Sequence, residues 1–228
     1  MSHLKSLVAP KTWPIKRKEK VFITKQTPGP QSLENSMPLN VVLRDMLRVV
    51  KTAREAKKIL NAGKVLVNNI VRKDSSFPIG IMDSLSIPDI SAYYRMIFSR
   101  RGKFHLHSIS KEDAVLKYLK IINKKTLKGN KTQLNFFDGT NLLAEKDDCK
   151  IGDTLVVSGN KVVKHLKFDK GALVYLVSGK HIGETGKLEE IRSFMGSQPD
   201  RVILKDKDQK IETLKKYAFV VEKEFENE

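Results

Sequence analysis

The residues with the clearest chemical potential are cations that recur at helical spacing. Between positions 44 and 58 the chain carries six Lys or Arg but only two acidic residues, Asp45 and Glu55. The six cations are Arg44, Arg48, Lys51, Arg54, Lys57 and Lys58. Two carboxylates cannot neutralise them through salt bridges, so the pattern predicts a surface that binds the phosphates of a polyanion.

The chain offers no comparable set of residues for catalysis or metal binding. His105 and His107 form the only close histidine pair, and zinc normally needs three or four nitrogen or sulfur ligands. Cys149 is the single cysteine, so it has no partner for a disulfide or a Cys-x-x-Cys site. Asp147 and Asp148 have no base near them in sequence, which indicates a surface loop. We therefore predict no catalytic residue, no metal and no cofactor.

Two short helices must position the cations. An apolar stripe that starts at Leu39 and runs to Val50 at helical spacing predicts the first helix. Thr52 followed by Glu55 is a capping-box pattern, which predicts a second helix that ends at Gly63. The basic residues should then lie on the exposed faces of both helices.

A β-hairpin is predicted directly after the helices. Val65 and Val67 alternate as in a strand, and Asn68-Asn69 suits a tight turn. Three cations continue the basic surface onto this hairpin: Lys64, Arg72 and Lys73.

Residues 1–38 contain five of the eight prolines and a basic run, without sustained helical periodicity. Because proline fixes φ and favours extended neighbours, we predict an extended arm with a short strand at Val21–Thr24. Trp13 lies where no core is evident; it either stacks on an unpaired base or packs against a neighbouring domain, and we favour packing. The arm's candidate phosphate-binding cations are Lys5, Lys11, Lys16, Arg17, Lys18 and Lys20.

Short strands separated by turn residues follow Pro88. A hairpin is predicted from Tyr93–Ser99 and Phe104–Ile109, and one short helix at Lys111–Leu119. The turn of that hairpin contributes Arg100, Arg101 and Lys103. Asp138 and Asp153 are interpreted as turn residues, because aspartate side chains accept hydrogen bonds from nearby backbone N–H groups. Further strands are predicted at Tyr118–Leu127, Gln133–Phe137, Thr154–Val157, Lys161–Phe168, Leu173–Val177, Lys187–Ile191, Val202–Lys205, Ile211–Lys215 and Tyr217–Glu222.

The charge is unevenly distributed along the chain. The formal net charge of the 228 residues is +17; residues 1–170 carry +18 and residues 171–228 carry −1. No apolar run approaches the roughly 18 residues that a membrane helix needs, and the first 20 positions lack the apolar region of a secretory signal. A single cysteine suits a reducing cytosol. We therefore expect a cytoplasmic protein that contacts its polyanion mainly through its first 170 residues.

The helical segment resembles a known RNA-binding module. The stretch REAKKILNAGKVLVNN at 54–69 is similar to the module named after bacterial ribosomal protein four, although Asn69 replaces the usual glycine of the turn. This resemblance implies that the two helices lie on RNA backbone and that Arg44, Arg48, Arg54, Lys57 and Lys58 contact phosphates.

Two further segments resemble known sequence motifs. KGALVYLVSGKHIGETGKLEEI at 170–191 is similar to the KOW motif, a strand-loop-strand that opens a small barrel, although a glycine-rich hairpin with purely steric demands also fits. HLKSL at 3–7, with AP at 9–10, WPI at 13–15 and Arg17, closely resembles the N-terminal signature of the e-type small-subunit ribosomal protein four family of archaea and eukaryotes. Ser6 departs from the Arg usual in that family.

Together these features predict a multidomain α+β protein. We expect an N-terminal arm at 1–38, the RNA-binding module at 39–90, a β-rich central domain at 91–169, a KOW-type small β-barrel at 170–223 and an acidic tail at 224–228. The barrel's RNA-facing edge would comprise Lys180, His181 and Lys187.

The resemblance implies a structural constituent of the small ribosomal subunit that binds and shapes rRNA without turnover. Its partners would be small-subunit rRNA and neighbouring ribosomal proteins, with one copy in each ribosome and neither a membrane nor a small-molecule substrate. Two alternatives use the same modules: an RNA-modifying enzyme, which needs a catalytic domain that residues 89–228 do not offer, and a transcription elongation factor, which leaves residues 1–88 unexplained.

Overall fold

The computed structural model describes residues 3–129, 131–144, 148–159, 161–194, 198–206 and 209–222. They group into two compact units, one of Met1–Ile97 with Lys103–Lys117, and one of Phe98–Gly102 with Tyr118–Glu228. The predicted acidic tail at 224–228 and Asp147 lie outside the described residues. Within the described part of the chain, no helix is long and apolar enough to cross a membrane.

Strands outnumber helices, as predicted. The helices are α1 (Leu39–Val41, continued by a π-helical turn at Val42–Met46), α2 (Ala53–Asn61) and α3 (Lys111–Val115). The strands are β1 (Leu4–Lys5), β2 (Phe22–Ile23), β3 (Ser36–Pro38), β4 (Leu66–Val67), β5 (Ile70–Val71), β6 (Pro78–Gly80), β7 (Ser84–Ile87), β8 (Ala92–Phe98), β9 (Phe104–Ser108), β10 (Lys117–Thr126), β11 (Thr132–Phe136), β12 (Asn141–Ala144), β13 (Thr154–Ser158), β14 (Lys161–Leu166), β15 (Leu173–Leu176), β16 (Thr185–Arg192), β17 (Arg201–Asp206), β18 (Gln209–Leu214) and β19 (Ala218–Val220).

The N-terminal segment is folded, so the prediction of an extended arm was wrong. β1 pairs with β2 in antiparallel register, close to the strand predicted at Val21–Thr24. Trp13 is completely buried, and its ring N–H donates to the carbonyl of Ser36 at 2.9 Å. Packing, favoured for Trp13 over base stacking, is thereby confirmed. The backbone of this proline-rich segment is largely irregular, but the buried Trp13 and the β1–β2 pair attach it to the first unit.

The first unit places both predicted helices before the hairpin. The first helix is shorter than predicted, because Arg48 adopts a left-handed φ of 55° and turns the chain before Val50. The second begins with the predicted capping box at Thr52, and Asn68 and Asn69 have the positive φ values, 51° and 64°, of the predicted tight turn. Five strands form a sheet in the order β5-β4-β7-β8-β9.

The second unit contains two five-stranded antiparallel sheets. Their strand orders are β12-β11-β10-β13-β14 and β18-β17-β16-β15-β19. Leu134 and Phe136 pack in the core of the first sheet, and Val174 and Leu204 in that of the second. Within the described residues β18 and β19 stand at opposite edges of the second sheet, so the structure shows a sheet here where the sequence predicted a closed barrel.

Buried polar groups stabilise the second unit. Tyr175 accepts from the backbone N–H of Phe98 at 2.6 Å and donates to its carbonyl at 3.0 Å, and burial raises the pKa of the phenol. Asp153 accepts from the N–H of Phe168 at 2.9 Å and lies 2.7 Å from His165. Besides its place in the predicted turn, Asp153 therefore links β13 to the residues around Phe168. Asp138, by contrast, makes the predicted local hydrogen bonds with Thr140.

Replacing Trp13 should reveal how far the first unit depends on it. Trp13→Phe leaves the buried Ser36 carbonyl without its donor and should cost about 1–3 kcal/mol of unfolding free energy, whereas Trp13→Ala should cost about 3–5 kcal/mol because it also opens a cavity. Denaturation followed by far-UV circular dichroism measures both. Leu7→Ala, at a side chain that is 68% exposed, is the control and should change stability by less than about 0.5 kcal/mol. Equal costs for Trp13→Ala and Leu7→Ala would contradict the anchoring role.

Because of Lys120, the free energy of unfolding should change with pH in the alkaline range. Its ammonium is buried and donates to the Lys216 carbonyl at 2.8 Å; burial, with a smaller effect of the Lys215 charge, lowers its pKa to about 8. The unfolded lysine has a pKa of about 10.4, so between these values the unfolded chain binds the extra proton and stability rises with pH. Relative to Lys120→Met, the wild type should gain on the order of 3 kcal/mol between pH 7 and 10.5 in chemical denaturation. A pH-independent difference between the two proteins would refute this origin.

Candidate nucleic-acid interface

A polar cleft of about 540 Å³ opens in the first unit between the N-terminal segment and the end of α1. Five predicted RNA-binding cations line it: Lys16, Lys20, Arg44, Arg48 and Lys51. Two carboxylates, Glu19 and Asp45, also face it, and Pro14, Ile15 and Phe22 are among its apolar walls. Folding thus brings together cations that are about 30 positions apart in sequence. We call this site the cation cleft.

The cations of the cleft are not equivalent. Arg44 forms a bidentate pair with Asp45, with Nε–Oδ1 and Nη2–Oδ2 distances of 2.9 and 2.7 Å. This hydrogen bonding raises the pKa of Arg44 and compensates its charge. Lys16 lies 3.9 Å from Glu19, with both side chains exposed. Among the described residues no salt bridge neutralises the three remaining cations of the cleft, Lys20, Arg48 and Lys51.

The backbone turn at Arg48 exposes this residue at the end of α1. Leu47 and Val49 donate their N–H groups back to Val42 and Leu43, which closes the helix with a wide turn. A left-handed residue other than glycine costs roughly 1–2 kcal/mol, and here it is an arginine at the mouth of a basic cleft. Arg48, whose backbone is strained, therefore lies at the cation cleft.

Helix α2 presents a second group of cations. The Thr52 hydroxyl accepts from the Glu55 N–H at 3.2 Å, and the Glu55 carboxylate accepts from the N–H groups of Lys51 and Thr52. These bonds, led by that of Lys51, lower the pKa of Glu55. Ala56 and Leu60 are buried on the opposite face. The cap therefore fixes the helix so that its cations, Arg54, Lys57 and Lys58, are exposed.

Several other candidate cations are engaged within the protein. The guanidinium of Arg17 donates to the carbonyls of Ala9 and Pro10, both at 2.6 Å. Lys64 forms a 2.7 Å salt bridge with Asp89. Arg72 lies 4.3 Å over the ring of Phe77. His181 lies 2.9 Å from Glu184. The exposed candidates outside the cleft and α2 are Lys5, Lys11, Lys18, Lys73, Arg100, Arg101, Lys103, Lys180 and Lys187.

In the second unit, two candidate segments that are far apart in sequence meet. A Cβ added to Gly183, whose φ is 82°, would lie 2.6 Å from the carbonyl oxygen of Ser99. Gly102 likewise faces Ile182, at 3.2 Å. The turn that carries Arg100 and Arg101 therefore packs against the glycine-rich loop that carries Lys180 and His181. The glycines allow this close approach, which supports a steric role for them.

The sequence did not predict the cation cleft. One of its walls comes from the segment that was predicted to be an extended arm, and no local signal connects Ile15 or Phe22 with the end of α1. Ser6 is buried and also lines the cleft, at the position where the e-type family usually has Arg. Among the described residues no cluster of three or more His, Cys, Asp or Glu could hold a metal ion.

Comparisons with known proteins agree with the order of these segments. Residues 2–34 match the RS4NT (NUC023) domain, residues 37–85 the S4 domain and residues 90–161 the ribosomal family S4e. The small ribosomal subunit protein eS4 of Methanosphaera stadtmanae is 44% identical over 96% of this chain and 91% of its own length. The eS4 protein of Methanocella arvoryzae is 43% identical over 98% of this chain and 95% of its own. The crystal structure of the 30S ribosomal protein S4e from Thermoplasma acidophilum has a TM-score of 0.72 at 30% identity, covering 82% of this chain and 95% of that one.

The fold and its RNA-binding S4 domain place the chain among ribosomal structural proteins, not among enzymes. The chain belongs to the ribosomal family S4e. The resemblance stated from the N-terminal signature and the two-helix module is thereby confirmed, and the RNA-modifying enzyme is excluded.

The ionised Glu55 carboxylate of the α2 cap should stabilise the protein at neutral pH, and acid should remove this stabilisation. Because the folded pKa of Glu55 is lowered, its carboxylate stabilises the protein above the unfolded pKa of about 4.3, and this contribution disappears as pH falls through the folded pKa. Glu55→Gln should therefore be less stable than wild type at pH 7 and equally stable near pH 2. Denaturation at both pH values measures the difference; a difference that persists unchanged in acid would show that the charge does not matter.

Proposed function

We propose that this protein is a structural constituent of the small ribosomal subunit that binds and shapes small-subunit rRNA through phosphate contacts. The observation that carries the proposal is the cation cleft together with the exposed cations of α2. Three cleft cations have no salt-bridge partner among the described residues, and α2 presents three more in one helical stretch.

The physical mechanism is the release of counterions. Each lysine or arginine that neutralises a phosphate frees a condensed cation, so affinity depends steeply on salt. Sequence readout should be slight, because RNA duplexes are recognised mainly through their shape and backbone. The cation cleft and α2 would thus hold RNA segments at a defined separation, which assists folding of the rRNA.

The same proposal extends to partners and location. Small-subunit rRNA and neighbouring small-subunit proteins would be the partners, with one copy in each cytoplasmic ribosome. The relatives are named small ribosomal subunit proteins, and this supports the assignment. The second sheet of the second unit, with low net charge in its sequence, would contact protein or solvent over much of its surface.

We also propose the finer domain division. The N-terminal segment (1–38), module (39–90), central domain (91–169) and C-terminal domain (170–223) remain the segments that the sequence pattern suggests. A KOW-type assignment for the last of these is supported by the glycine-rich loop between β15 and β16 and by the five antiparallel strands around it.

Removing the α2 cations should weaken RNA binding without unfolding the protein. The variant Arg54→Gln, Lys57→Gln and Lys58→Gln should lower the slope of log affinity against log salt by about 2–3, roughly one for each lost phosphate contact. Affinity for transcribed small-subunit rRNA, measured between 50 and 200 mM salt, gives the slope. With 6–10 contacts the wild type should lose roughly 10³–10⁵-fold over this range.

The matched control removes three exposed lysines of the second unit, by Lys161→Gln, Lys167→Gln and Lys170→Gln. It changes net charge equally and should leave the slope near that of wild type. A shallow wild-type slope, or absence of the protein from salt-washed small subunits, would reject the proposal. Co-purification with RNA polymerase instead of ribosomes would favour the transcription elongation factor.

A further inference from the structure

The first sheet of the second unit carries a row of amide side chains, exposed at Asn123 and Asn141 and half-buried at Asn135. Asn123 on β10 is directly opposite Asn135 on β11, which is in turn opposite Asn141 on β12. The next row along the same strands contains Lys125, Gln133 and Leu143. We call this surface the amide face.

The amide face points away from the core. Thr132, Leu134 and Phe136 alternate with Gln133 and Asn135 along β11, and they are buried. Since successive side chains of a strand point to opposite faces, the amides and their cross-strand neighbours lie on the outer face. Asn123, Asn141 and Lys125 are exposed, and Leu143 is 58% exposed.

The β10–β11 hairpin is basic, whereas acidic residues follow it at Asp138 and after β12, at Glu145, Asp147 and Asp148. Residues 117–137 contain six lysines and no acidic residue, and β12 adds none. Lys125, Lys128 and Lys131 are exposed on and beside the β10–β11 hairpin. Within the described part of the chain no salt bridge joins these three lysines to a carboxylate. Among the described residues, neutralisation by a carboxylate therefore does not explain them.

The amides are partly oriented before any ligand binds. Gln133 Nε2 donates to Asn135 Oδ1 at 2.8 Å, and the N–H of Lys124 donates to Asn123 Oδ1 at 2.8 Å. Each fixed amide keeps further donor or acceptor capacity toward solvent. A ligand that offers hydroxyl groups as well as anionic oxygens would match such a row with little loss of side-chain entropy.

We propose that the amide face is a second RNA-binding surface, separate from the cation cleft and carried by the other unit. The three lysines pair with phosphates, and the amides hydrogen-bond ribose 2′-hydroxyls and base edges. The identity of the polyanion as RNA rests on the proposed function. None of these lysines or amides was among the candidates that the sequence motifs suggested.

An RNA ligand fits the face better than an acidic protein does. Protein interfaces are depleted in lysine and enriched in aromatic and other apolar anchors. In the two rows Leu143 is the one apolar side chain, among lysine and amide groups. Phosphate and ribose, by contrast, offer the anionic and hydroxyl partners that those groups need.

Neutralising the lysines tests the electrostatic part of the proposal in the full-length protein. Lys125→Gln with Lys128→Gln and Lys131→Gln should lower the salt slope for transcribed small-subunit rRNA by about 2–3, against no change for the Lys161, Lys167 and Lys170 control. Unchanged far-UV circular dichroism and melting would show that the exposed substitutions leave the fold intact.

Removing an amide tests recognition of the ribose. Asn135→Ala should weaken RNA binding about two- to tenfold, the effect of one lost hydrogen bond, while leaving the weaker binding of single-stranded DNA of the same sequence unchanged. Equal losses for RNA and DNA would overturn the 2′-hydroxyl assignment.

Three outcomes separate this inference from the proposed function. If the α2 variant weakens RNA binding but the amide-face variant behaves like its control, the second surface is refuted and the proposed function stands. If neither variant differs from a wild type that binds RNA without salt dependence, the proposed function itself fails. If the amide-face variant binds isolated rRNA normally but is lost from washed subunits, the face contacts a protein, which also refutes the inference.

Discussion

The burial of Trp13 is the interaction on which the first unit depends. A proline-rich, basic segment has little reason to fold, because its charges repel and its backbone lacks regular hydrogen bonding. The indole overcomes this by leaving water completely while its N–H reaches the Ser36 carbonyl at 2.9 Å. Once Trp13 is seated, the cations that follow it line one wall of the cation cleft. The site is therefore a product of hydrophobic packing, although its chemistry is electrostatic.

The cations of this protein divide into two physical classes. Arg17 and Lys120 donate hydrogen bonds to backbone carbonyls, and Arg44 is paired with Asp45. These three side chains are therefore engaged within the protein. Exposed cations such as Arg48 and Lys57 are held in place by the backbone beneath them, through a left-handed residue and a capped helix. Net charge therefore overstates the number of groups available to a polyanion.

Local signals predicted local structure well. The capping box at Thr52 and the turn at Asn68-Asn69 depend on interactions within a few residues, and the structure has both. The structure also has strands after Pro88, where alternating residues and turn signals predicted them. The first helix was predicted too long, because its apolar stripe continues to Val50 after the backbone has turned at Arg48. Val50 is still buried, so the stripe correctly indicated burial but not helix.

By itself, the sequence determined the family, the two-helix module with its exposed α2 cations, and the β-rich remainder. These follow from short-range patterns of charge, apolar spacing and turn residues. Only the tertiary structure decided that the N-terminal segment is folded, that its lysines meet the end of α1, and that Asn123, Asn135 and Asn141 form one row. Such features depend on packing and strand register between segments far apart in the chain, and no local pattern of residues encodes which distant partner a side chain will meet.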